Sequence, residues 1–159
     1  MDSFKVLFVC WGNICRSPAA HCVFQKHIDA QGLSDRIHCD SAGTISTHAG
    51  HAPDSRMSSA GARRSILFFG QSRKYRTSDF ETFDLILAMD HQNQADLEAA
   101  TPTDSRAQIM LFGHFINPEN PPEVPDPYYG GHRGFDIVLD MVEAGCEKLL
   151  EHIQGLQTL

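Results

Sequence analysis

Neither GxGxxG nor GxxxxGK occurs anywhere in the 159 residues, which argues against a mononucleotide-binding glycine-rich loop. No CxxC pair is present and no histidines fall at zinc spacing, so neither a metal nor a cofactor is expected. The five cysteines, at 10, 15, 22, 39 and 146, are odd in number and form no regular framework, which argues against structural disulfides. The first apolar run, Val6 to Val9, is too short for a signal-peptide core or a bilayer span. A cytoplasmic protein with no membrane insertion is the expectation. Positive charge is also short: 13 Lys and Arg stand against 20 Asp and Glu, a net −7. No basic stripe is available to displace counterions, so nucleic acid is not an expected partner. A local cluster of donors could still hold a small anion against that distant charge.

What the chain does contain is 42% hydrophobic and 21% charged residues, an ordinary globular balance. Its length suits one domain, 1–159, with one core. Lys5-Val6-Leu7-Phe8-Val9 reads as a strand buried on both faces. Ser17-Pro18 opens a helix, with Ser17 as cap, that runs at helical spacing to Gly32. Ile37-His38-Cys39 is a short strand, and a helix spans about 56–64. Residues 83–89 form another buried strand, with Asp90 capping a helix through Ala99. Ile109 to Phe112 is the last strand, and Phe135 to Ile153 is a strongly amphipathic helix. Strands alternating with helices predict an α/β fold. The expected form is three layers, with a mostly parallel, twisted, roughly four-stranded sheet and helices on both faces. Ligands should then bind beyond the C-terminal strand ends, where Cys10, Ser41 and Asp90 all fall.

The stretch Cys10-Trp11-Gly12-Asn13-Ile14-Cys15-Arg16-Ser17-Pro18 joins the first strand to the first helix. A loop that curls into a helix N-terminus presents free N–H groups and a partial positive charge, which is a cradle for an anion. Gly12 permits the bend, and Asn13 tolerates left-handed backbone. Arg16 adds a planar fork for two phosphate oxygens. The same field favours a sulfur anion, so the groups that bind phosphate would also activate Cys10 as nucleophile. A lone Cys and Arg at this spacing would more often be a structural cysteine and a surface arginine. The Gly-Asn within and the Ser-Pro after reverse that balance.

This loop resembles the phosphate loop of the low-molecular-weight protein tyrosine phosphatases. The likeness continues, in family order, at Ser41-Ala42-Gly43-Thr44, Pro53-Asp54-Ser55-Arg56, Asp79-Phe80, Phe83-Asp84, Ala88-Met89-Asp90 and Val124-Pro125-Asp126-Pro127-Tyr128-Tyr129. The resemblance implies hydrolysis of phosphotyrosine through a phosphocysteine on Cys10. Trp11, Gly12, Asn13, Ile14, Cys15, Arg16 and Ser17 would bind the phosphate. Asp126, in the family's Asp-Pro position, would be the general acid and then the general base.

Further roles follow from the same likeness. Ser17 would donate to the Cys10 sulfur, and Asn13 would bond to Ser41 to lock the loop. The family often has a His before an Ala-Arg-Gln segment, where this chain reads Gly70-Gln71-Ser72-Arg73-Lys74, so that support is expected to be missing. Tyr128 and Tyr129 would wall a slot deep enough for a phenyl ring. Trp11 is unusual for the family, and Thr47 stands where relatives often have Trp; Trp11 is expected to supply the aromatic wall that Thr47 cannot. Cys15 has two readings: a reversible redox partner of Cys10, or a small buried hydrophobe. Cys22, Cys39 and Cys146 read as core, and the histidines receive no role.

Three alternatives remain at this stage. An arsenate reductase of the same fold needs further redox cysteines on a mobile segment, and no close Cys pair follows Cys39. An arginine phosphatase usually has Thr in the place of Ile14. A non-catalytic phosphotyrosine reader would be expected to lack Cys10 or Asp126. The expected partner is a tyrosine-phosphorylated protein or peptide, with a monomer favoured.

Overall fold

A computed structural model describes residues 3–128, 130, 131 and 133–157. Four parallel strands form one sheet: β1 (Phe4–Cys10), β2 (Ile37–Gly43), β3 (Leu85–Ala88) and β4 (Gln108–Leu111), in the order β2-β1-β3-β4. The helices are α1 (Arg16–Ala30), α2 (Ser55–Ala62), α3 (Asp79–Thr82), α4 (His91–Ala100) and α5 (Arg133–Gln157). β1 is central, paired with β2 from Phe4↔Ile37 to Cys10↔Gly43 and with β3 from Val6↔Leu85 to Val9↔Ala88. The α/β expectation of a parallel four-stranded sheet with helices on both faces is met.

The alternation of β1 explains the layering. Val6, Phe8 and Cys10 face a large core built with α1, α2 and α5. Leu7 and Val9 face a smaller one with Phe80 of α3 and Leu97 of α4. Five apolar residues in succession are what a strand buried on both faces requires. Phe8 anchors the larger core, with edge-on contacts to Phe24 of α1 at 5.7 Å and to Phe112 at 6.1 Å.

α1 ends as its sequence dictates. Gly32 takes φ +67°, and Leu33 N donates to Ile28 O while Gly32 N donates to Asp29 O, the double closure of a left-handed cap. Asp90 caps α4 by accepting from Asn93 N at 2.8 Å. No helix among the described residues is long and apolar enough to cross a membrane.

Several boundaries differ from expectation. β2 runs to Gly43, past Cys39, because its polar C-terminal half pairs with β1 along the whole edge. β3 starts at Leu85, since Asp84 turns its side chain back onto Lys5 N at 2.9 Å. β4 stops at Leu111, and Phe112–Phe115 is a 3-10 turn. A Cβ on Gly113 would meet Pro122 O at 1.8 Å, so the chain bends there against the 121–127 segment. Ser17 does not cap α1; Cys15 occupies the cap position, and Ser17 lies in the first turn with its hydroxyl turned inward.

Candidate active site

The loop from Cys10 to Arg16 leaves the end of β1 and curls over the N-terminus of α1. Asn13 sits at φ 56°, the left-handed region. The loop carbonyls are held from outside. Trp11 O accepts from Thr44 N at 3.0 Å and Ile45 N at 3.2 Å, and Ile14 O accepts from Asp54 N at 2.8 Å. Gly12 O accepts from Ser72 Oγ at 2.9 Å. In a trans peptide the N–H points opposite to the C=O. The N–H groups of Gly12, Asn13 and Cys15 are therefore turned inward. None of them, nor Ile14 N, donates to a protein acceptor among the described residues. Converging free N–H groups in a buried loop make an anion site.

Asn13 is the hub behind the loop and is buried. Its Nδ2 donates to Ser17 Oγ at 2.8 Å and to Ser41 Oγ at 2.9 Å, and its Oδ1 accepts from Arg73 N at 3.0 Å. Ser17 Oγ lies 3.0 Å from Cys10 Sγ and 3.3 Å from Ala42 O. Because Ser17 accepts from Asn13, its own proton is left for the sulfur or that carbonyl. A sulfur anion would draw it.

Arg16 is 3% exposed, a depth at which a guanidinium needs partners. Nη1 donates to Asp90 Oδ2 at 2.6 Å and to Val124 O at 3.0 Å, and Nη2 lies 3.7 Å from Asp126 Oδ2. Burial works against its charge, but the Cys10 sulfur, Asp90 and Asp126 outweigh that and hold its pKa above the ordinary value. Val124 N donates to Met89 O at 2.8 Å, which ties the segment carrying Asp126 to the end of β3. Asp126 is about one-third exposed, and its Oδ1 accepts from Tyr128 N at 3.0 Å.

A cleft opens above the loop. Cys10, Gly12, Ile14, Cys15 and Arg16 line its base, with Trp11, His48, Asp126 and Tyr128 around it. Asn13 and Ser17 do not line it; they stand behind the loop, and Ser41 braces them there. Thr47 is not on the wall either. It is exposed, and its neighbour His48 takes the place beside Gly12 and Tyr128. Tyr129 lies outside the described residues. Arg56 packs its guanidinium 5.3 Å from the Tyr128 ring centroid and donates to Tyr128 O at 3.2 Å.

The brace expected to be missing at Gly70-Gln71-Ser72-Arg73-Lys74 is supplied by other atoms, namely the Ser72 hydroxyl on Gly12 O and Arg73 N on Asn13 Oδ1. Sequence reasoning also missed His48 and the Asp90 contact to Arg16. The one hint for Asp90 was its position at a strand end.

A family model described as low molecular weight phosphotyrosine protein phosphatase matches residues 5–158. The chain belongs to that family. It is accordingly a phosphatase, a hydrolase. The low molecular weight phosphotyrosine protein phosphatase of Schizosaccharomyces pombe is 43% identical over 143 residues, 89% of this chain and 92% of the relative. A protein tyrosine phosphatase from Entamoeba histolytica has a solved structure that is similar at TM-score 0.91 and 44% identity, covering 96% of this chain and 98% of that one. An arginine phosphatase from drosophila is similar at TM-score 0.87 and 32% identity, covering 94% and 98%.

Proposed function

We propose that the chain hydrolyses phosphotyrosine in proteins or peptides through a phosphocysteine on Cys10. One observation carries the reading: Cys10, the loop that follows it and Arg16 line one cavity, with the Asp126 carboxyl 3.7 Å from the guanidinium beside it. The Cys10 thiolate attacks phosphorus, and the bond from phosphorus to the phenolic oxygen breaks. Asp126 gives its proton to that oxygen. Loop N–H groups and Arg16 hold the three equatorial oxygens through the transition state. Water then attacks the phosphocysteine, Asp126 takes its proton, and the sulfur leaves as thiolate with inorganic phosphate released.

The choice of substrate rests on the walls. Trp11, His48 and Tyr128 offer ring faces to a phenyl group, and Ile14 occupies base space that a guanidinium would need. Phenol, with a pKa of about 10, is also a better leaving group than an alcohol. The free thiols at all five cysteines fit a reducing, cytoplasmic setting. We further read Cys15 as the redox partner of Cys10, both buried in one loop.

The test is turnover of an aryl phosphate by wild type, Cys10→Ser and Asp126→Ala, with phosphotyrosine and phosphoarginine peptides compared side by side. Cys10→Ser loses nearly all activity and Asp126→Ala loses much of kcat. A wild type without turnover, or one that prefers phosphoarginine, overturns the reading.

A further inference from the structure

Three outward carbonyls set the direction of the loop amides, and they are not held alike. Trp11 O and Ile14 O are held by backbone N–H groups, which no substitution removes short of proline. Gly12 O is held by a side chain, the Ser72 hydroxyl, sixty positions away in sequence. A carbonyl can only accept, so Ser72 is the donor. The carbonyl it holds belongs to the peptide that carries the Asn13 N–H, which a trans peptide turns away from Ser72. Asn13 also carries the strained left-handed backbone of the loop.

Ser72 is itself fixed on both sides. Its N donates to His51 O at 2.8 Å, and its O accepts from Gly50 N at 2.8 Å. The next residue is clamped harder. Arg73 spans Asp79 at 2.9 Å and Asp40 at 3.1 Å, while Arg73 O accepts from Gly43 N at 2.7 Å. The hydroxyl is 5% exposed with its residue and has no alternative direction to take for free. Gly70 adds nothing from its own position: a Cβ there would have no atom within 4 Å. A pocket lies behind the loop, bordered by Asn13, His21, Ser41, Gly70 and Ser72.

We infer that Ser72 is a positioning residue for phosphate: its hydroxyl sets the Gly12–Asn13 peptide so that the Asn13 N–H meets a phosphate oxygen. The inference rests on the reading of the Cys10–Arg16 loop as the phosphate site. Without the hydroxyl, Gly12 O is buried and unpaired, and the peptide gains by rotating toward another donor. The donor lost to phosphate would then weaken bound inorganic phosphate and the transition state alike. Overall folding depends on it far less, because the backbone bonds at residues 50, 51 and 72 remain.

The experiment compares wild type, Ser72→Ala, Ser72→Cys and Ser72→Thr in turnover of an aryl phosphate and in competitive inhibition by inorganic phosphate. Ala and Cys should each lower kcat/KM by about tenfold and raise the phosphate Ki by a similar factor, the cost of one buried hydrogen bond to a ligand-bearing peptide. Thr keeps the donor, and both constants should return to within about threefold of wild type. Either an unchanged phosphate Ki in folded Ser72→Ala and Ser72→Cys, or failure of Thr to restore it while its Tm matches wild type, overturns the role of Ser72. The underlying site reading fails separately, if wild type neither turns over the ester nor binds phosphate.

Discussion

Arg16 Nη1 and Asp90 Oδ2 are 2.6 Å apart, and the same Asp90 caps α4 through its other oxygen, Oδ1. One carboxylate thus joins the buried Arg16 guanidinium to the start of a helix on the opposite side of the sheet. Asp90→Asn separates the two duties. Asparagine caps as well as aspartate, so the start of α4 is kept, while the buried Arg16 charge left short of its partner should lower Tm. Its neutral amide is a poorer partner for Arg16, and kcat/KM for an aryl phosphate should fall by about ten- to hundredfold, the range for a hydrogen bond to a charged group. Equal kcat/KM would show that Val124 O and Asp126 suffice to orient the guanidinium.

Gly43 lies under the loop at the end of β2. A Cβ there would stand 2.7 Å from Trp11 O and 3.2 Å from Asn13 N, both backbone atoms with little room to give. Gly43→Ala should therefore push the loop off its support. A stability loss of about 1–3 kcal/mol in urea unfolding is expected, with a fall in kcat. Wild-type kcat in the folded variant would mean the loop absorbs the methyl group.

Trp11 is 41% exposed, yet it borders the cavity with His48 and Tyr128. A ring that contacts only the aryl part of a substrate contributes uniform binding. Trp11→Ala should raise KM for aryl phosphates about three- to tenfold with kcat nearly unchanged, the range of one aromatic contact. Inhibition by inorganic phosphate should stay as it is. An unchanged KM refutes the aromatic-wall role.

The buried thiols make stability depend on alkaline pH. Desolvation pushes the Cys22 thiol from 9.0 up to about 11. Desolvation raises Cys15, Cys39 and Cys146 as well. An unfolded thiol ionises first, so between about pH 9 and 11 the native state holds more protons than the unfolded chain. Stability is full below that window and falls through it. Urea midpoints at pH 8 and pH 10.5 should show the loss, and Cys22→Ala should make it smaller. A pH dependence identical in wild type and variant would remove Cys22 from the account.

Burial, first of all, also raises the Cys15 thiol, and the charges of Asp54, Cys10 and Asp126 add to it. Peroxide would convert the Cys10 thiolate to a sulfenic acid, and the Cys15 sulfur would displace water from it to close a disulfide. A raised thiol supplies little thiolate at neutral pH, so this closure should quicken as pH rises. Mass spectrometry of peroxide-treated protein should find Cys10 linked to Cys15, and a dithiol should restore activity. Treated protein lacking that linkage would leave Cys15 as a packed hydrophobe.

The parts legible in the sequence are those where a local pattern carries the physics. The apolar run before Cys10, the Gly-Asn bend, and the single apolar face of α5 each declare their structure within a few residues. The site was less legible where contacts join distant segments. Thr47 and His48 are adjacent in sequence, and only the path of the 44–53 loop decides which one reaches the cavity. Ser17 looked like a cap because its local signal is a cap signal, but the Cys10 sulfur and Asn13 claim its hydroxyl. Phe112 continued an apolar run and read as strand until the close approach of Gly113 to Pro122 bent it away. Ser72 gave no signal at all, since its acceptor is a backbone oxygen sixty residues upstream.

The hydrogen bond from Val124 N to Met89 O has a mechanical meaning. It suspends the Asp126 segment from the strand that lies alongside the one ending in Cys10, and Arg16 grips the same short span through the Val124 carbonyl. Asp126 and Cys10 are thereby referenced to two neighbouring strands of one sheet. On the proposed reading, the two reacting groups are thus registered against each other by backbone hydrogen bonds alone.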